Sequence, residues 1–146
     1  MPRLFAIALA VAVAGAALPL AATPAWPGTE NQAPALGGHD PVAYFSGGAA
    51  MGKDSVTATH DGVRFRFASA ANRDAFVANP ARYLPQFGGY CAWAASQGRL
   101  SAPDPTLWRI VDDRLYLNCS KDAETKWLAD VPGNIAKATI FWATRK

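Results

Sequence analysis

Two stretches of this chain repeat one another at an offset of 51 residues. Gly37 and Gly38 match Gly88 and Gly89, Ala43 matches Ala94, and Gly47 matches Gly98. The same offset lays Asp61 on Asp112, Ser69 on Ser120 and Ala78 on Ala129, and keeps aromatic character at Phe65 with Tyr116 and Phe76 with Trp127. A repeat of this length is one supersecondary unit that cannot bury its apolar face alone, so two copies must pack on each other. The unit itself is legible. Ser55 to His60 and Val63 to Ala68 are strand-like runs joined by Asp61-Gly62, a strong hairpin turn. Val63, Phe65 and Phe67 face one way and Arg64 and Arg66 the other, which predicts one buried and one wet face. Ser69 then caps a helix to about Ala78, which Asn79-Pro80 ends.

In the second copy Thr106 to Val111 and Arg114 to Cys119 form the hairpin, with Asp112-Asp113 at its turn. Ser120 caps the next helix, and Asn134 is expected to cap a last one with an apolar stripe of Ile135, Ala138, Phe141 and Trp142. The fold class expected is α+β: a small antiparallel sheet built from the two hairpins, helices packed on it, and a pseudo-twofold axis between the halves. Under that symmetry His39-Asp40 and Tyr90-Cys91 occupy equivalent loops. Convergence of those loops would make His39, Asp40 and Cys91 one site.

The front of the chain reads differently. Arg3, the apolar run from Leu4 to Ala17 and the small residues up to Thr23-Pro24-Ala25 predict a secretory signal over residues 1–25. A retained anchor is the alternative, but Gly15, Pro19 and Pro24 favour cleavage and no stable membrane insertion. Residues 26–35 read as a flexible linker and 36–146 as the folded domain. The expected address is the periplasm or the cell exterior. Lys and Arg total 14 against 11 acidic residues and are scattered, so nucleic acid is not an expected partner.

Two cysteines, Cys91 and Cys119, carry the distinctive chemistry. In an oxidising compartment they can be bridged, closing a 28-residue loop worth roughly 3 kcal/mol. Alternatively, Gly88-Gly89-Tyr90-Cys91-Ala92-Trp93-Ala94-Ala95 places Cys91 at the start of a short helix, whose dipole favours a thiolate able to bind metal. No nucleophile elbow, phosphate loop, zinc-protease helix or C-x-x-C occurs, and a Cys91–His39 catalytic pair lacks an orienting third group. A non-enzymatic role is expected, as a module that binds a transition metal or a small ligand.

Several segments in order, Gly38-His39-Asp40-Pro41-Val42-Ala43-Tyr44-Phe45, Phe65-Arg66-Phe67-Ala68-Ser69 and Asn72-Arg73-Asp74-Ala75-Phe76, resemble the YHS domain family. Gly88-Gly89-Tyr90-Cys91-Ala92 and Leu115-Tyr116-Leu117-Asn118 are similar to its exported bacterial branch, and the resemblance runs from about Leu36 to Trp142. The cysteine-rich members of that family are taken to bind transition metals through their thiols. The positions where cysteine-rich members carry those thiols are Ala43, Ala68 and Asn72 here, so the usual site is gone. Cys119 lies one repeat on from Ala68. Any copper or zinc ion is then expected on Cys91 first and His39 second, with Asp40 nearby. The competing expectation is a metal-free interaction domain stapled by Cys91–Cys119, whose partner is another periplasmic protein.

Overall fold

A computed structural model describes residues 25–145, so the expected leader lies outside the described residues except for Ala25. The first hairpin consists of β1 (Lys53–His60) and β2 (Val63–Phe67), followed by α1 (Ala70–Ala78) and the short α2 (Pro80–Tyr83). After a glycine loop come α3 (Ala92–Ser96), β3 (Asp104–Val111), β4 (Arg114–Asn118), α4 (Lys121–Leu128) and α5 (Val131–Ala143). The architecture is the expected mixture of helices and small antiparallel hairpins.

The repeat is present at the level of individual bonds. In the first hairpin His60 pairs with Val63 and Thr57 with Arg66, with an irregularity before Lys53 pairs with Phe67. In the second, Val111 pairs with Arg114 and Trp108 with Leu117, and the irregularity precedes Asp104 with Asn118. Every partner is displaced by the same 51 residues. Both turns are left-handed, at Asp61 (φ 48°) and Gly62 (φ 77°), and at Asp112 (φ 50°) and Asp113 (φ 59°). That conformation matches the twist of the flanking strands, and Asp tolerates it where glycine is missing. The glycine loops agree too. Asp40 N–H donates to Ala50 C=O at 2.8 Å, and Cys91 N–H to Ser101 C=O at 3.0 Å.

Ser69 Oγ accepts from Asn72 N–H and Ser120 Oγ from Ala123 N–H, both at 3.1 Å. Each satisfies one orphan donor of a helix start. Ser69→Ala and Ser120→Ala are each expected to lower the unfolding free energy by about 1 kcal/mol in urea titrations, and by similar amounts because the geometries match.

Four features differ from expectation. The hairpins stay as two separate two-stranded sheets. The edge of β4 that a joined sheet would use is occupied: Gln86 N–H donates to Leu115 C=O at 2.8 Å, and Cys91 bridges Leu117 in parallel. The halves meet through side chains instead. Leu115 and Leu117 stand where the first repeat has Arg64 and Arg66, and they enter the core of Phe65, Phe67 and Phe76. Thus β2 keeps one wet face, while β4 is buried on both.

Residues 26–35 are laid on the domain. Trp26 packs edge-on against Phe65 at 5.4 Å, Tyr90 Oη donates to Ala25 C=O at 2.6 Å, and Ala35 is buried. Burial of an indole outweighs the polar, Pro-bearing composition around it. The last helix starts earlier than expected. Asp130 caps it through Gly133 N–H at 3.1 Å, and Asn134 lies inside, donating to Trp127 C=O at 3.0 Å. Finally, a helix that was not expected follows Asn79-Pro80: α2 begins at the position equivalent to the start of α5, but Pro85 follows closely and α2 stops after one turn. Among the described residues no helix is long and apolar enough to cross a membrane.

Candidate functional site: a buried thiol pair

The first repeat shows what the equivalent loop does when its key residue is a carboxylate. Asp40 is fully buried; its Oδ1 accepts from Val42 N–H (2.8 Å) and Ala43 N–H (3.3 Å). Its Oδ2 accepts from Ala68 N–H (2.8 Å) and from Asn72 Nδ2 (2.7 Å). One side chain thereby ties the glycine loop to the end of β2 and the first turn of α1. A buried carboxylate is tolerable because each oxygen is met by donors.

Cys91 takes this place in the second repeat and is likewise fully buried. The backbone N–H groups of Ala94 and Cys119, one repeat on from Ala43 and Ala68, approach its sulfur. Asn72 is replaced by Ala123, which packs with Cys91 and Ala94. The half-buried Cys119 adds its own thiol against Cys91. Cys91 Sγ lies 3.9 Å from Asn118 Oδ1, which also accepts from Trp93 N–H at 3.1 Å. The Nδ2 of Asn118 is buried without a partner. A hydrogen-bonded carboxylate lock has become a pair of free thiols in a small-residue pocket.

The electrostatics reverse the dipole expectation. Burial pushes the Cys91 thiol up to about 12, and the adjacent Cys119 thiol adds to the rise, while the N–H groups of Ala94 and Cys119 pull the other way. The helix α3 has only five residues, too short a dipole to overcome desolvation. Cys91 is therefore protonated at neutral pH.

His39 and Asp40 do not join this pair. His39 Nδ1–H donates to Leu36 C=O at 2.9 Å, and its backbone bridges Met51. The Asp104 carboxyl is held below the usual range chiefly by bonds from Thr106, with His39 adding to the effect. Both oxygens of Asp40 are occupied within its own repeat. Among the described residues no group of three or more His, Cys, Asp or Glu side chains is arranged to hold a metal. Equivalent loops thus serve separate networks. Sequence reasoning missed Asn118, although a polar residue where the first repeat has the inward Phe67 was a readable signal. No family model, curated protein or solved structure matches the chain.

Proposed function

We propose that the chain is an exported, non-enzymatic binding module of the YHS type whose centre is the Cys91–Cys119 pair, taking a soft transition-metal ion, Cu(I) in particular. The observation that carries this reading is the thiol of Cys119 set against that of Cys91 in the pocket where the other repeat holds a carboxylate. The positions at which the resembling family carries thiols, Ala43, Ala68 and Asn72, all adjoin Asp40, and the second repeat has Cys119 at one of their equivalents. Two thiolates suit Cu(I), whereas structural zinc is bound by four protein ligands that this pocket does not offer. Cys119 replaces His39 as the second ligand, because among the described residues no group of three or more His, Cys, Asp or Glu side chains could hold a metal, so His39 is not gathered with the two thiols.

The test is a Cu(I) competition titration of reduced protein lacking residues 1–25. One ion per chain is expected, lost in both Cys91→Ser and Cys119→Ser and kept in His39→Ala. Because uptake must displace the proton that burial holds on Cys91, affinity should rise about tenfold per pH unit for each proton released. Binding that survives either serine variant, or that disappears in His39→Ala, would sink this reading.

The same sulfur contact in an exported chain also favours a second reading, a metal-free interaction domain stapled by Cys91–Cys119. A thiol count on protein purified without reductant separates the two. Two free thiols favour the metal site and none favours the staple.

A further inference from the structure

From the unequal burial of two touching thiols we infer that Cys91 and Cys119 form a reversible dithiol–disulfide couple that exchanges with disulfides from solution, Cys119 reacting first and Cys91 resolving. This uses the thiol pair of the preceding reading but none of its metal chemistry.

Cys119 is half-buried at the end of β4, whereas Cys91 has no exposed surface. An incoming disulfide therefore meets only Cys119. Its thiolate attacks one sulfur of the incoming R–S–S–R, giving a Cys119–S–S–R bond and releasing one RS⁻. Cys91 then attacks the Cys119 sulfur, forming the Cys91–Cys119 bond and releasing the second RS⁻. Two electrons pass from the pair to the incoming disulfide, and the two thiol protons end on the released thiolates or in solvent. Exchange of this kind runs through thiolates and a mixed-disulfide intermediate.

The pocket fits the second step. Ala94 and Ala123 line it beside the sulfurs, with Trp93 packed against them, and Ala123 stands where the first repeat has the Asn72 amide. The N–H groups of Ala94 and Cys119 face the Cys91 sulfur where a thiolate would form, as those of Ala43 and Ala68 face Asp40. The amide oxygen of Asn118 accepts from the Cys91 thiol at 3.9 Å, so it holds the protonated form before the second step. The repeat comparison supplies the consequence. Asp40 fastens its loop to β2 and α1 permanently, whereas the second loop is fastened covalently only when the pair is oxidised.

The test equilibrates the protein lacking residues 1–25 with reduced and oxidised glutathione mixtures, followed by acid quench and intact mass. Wild type should interconvert between a dithiol and an internal disulfide, with little adduct at any ratio. Cys91→Ser and Cys91→Ala should both accumulate a glutathione adduct on Cys119, and Cys119→Ser should accumulate none. Adduct on Cys91 in Cys119→Ser, no adduct in either Cys91 variant, or a wild-type bridge that glutathione neither forms nor reduces would each overturn the proposal. A failed Cu(I) titration leaves these outcomes unaffected, so the two readings fail separately.

Discussion

Asp40→Ala should destabilise the protein by at least about 4 kcal/mol, a large part of the 5–15 kcal/mol that holds a domain folded. The carboxylate receives three backbone N–H groups, of Val42, Ala43 and Ala68, and the Asn72 amide. Alanine cannot replace any of them; Asp40 and the bonds to Val42 and Ala43 are buried, whereas those to Ala68 and Asn72 are only part-buried, so water reaches at most half of the donors easily. Each unsatisfied buried donor costs about 1–3 kcal/mol, with partial relaxation keeping the sum below four full penalties. The repeat provides an internal control. Cys91→Ala at the equivalent position removes one sulfur from a pocket of small apolar side chains, and should cost only about 1–2 kcal/mol in the reduced protein. Urea unfolding of both variants under reducing conditions checks the contrast. Equal losses would mean that the carboxylate does not lock its loop as its bonds imply.

That contrast also shows where sequence reasoning reaches and where it stops. Asp-Gly turns, serine caps and glycine pairs act within a few residues, so both copies of the unit could be read from local chemistry. Two errors came from contacts distant in sequence. Nothing periodic marks the capture of the β4 edge by Gln86 and Cys91, so one sheet looked as reasonable as two. Likewise, Trp26 sits among Pro, Gly and polar residues that suggest a tether, and only the Phe65 ring waiting for it explains its docking. The apolar run Leu115-Tyr116-Leu117 carries the pattern of a strand buried on both faces, and that local signal went unread. At the site, the two cysteines were visible but their electrostatics were not. A helix start argues for a thiolate, and complete burial, which a sequence does not disclose, argues more strongly for a thiol.

The second large effect concerns whether two repeats make one cooperative fold. Phe76→Ala and Trp127→Ala remove equivalent rings, each essentially unexposed, and each should cost about 3–5 kcal/mol. Phe76 sits 5.0 Å from Phe65 and 5.2 Å from Phe67, and Trp127 sits 5.5 Å from Tyr116. The indole is the larger ring, but its Nε1 is buried without a partner, so removing it also relieves an unsatisfied donor and draws the two costs together. If the repeats were independent, Phe76→Ala would melt only the first and leave the tryptophans of the second packed. The core argues otherwise. Leu115 and Leu117 belong by sequence to the second hairpin yet pack with Phe65, Phe67 and Phe76, so the first repeat cannot unfold without exposing one face of β4. The opposite face carries Tyr116, which packs with Trp127 and Ala138. Tryptophan fluorescence and far-ultraviolet circular dichroism should therefore report one coincident urea transition in both variants. A first, partial transition in Phe76→Ala with native tryptophan fluorescence would show that β4 stands without the first repeat, and that the shared strand does not couple the halves.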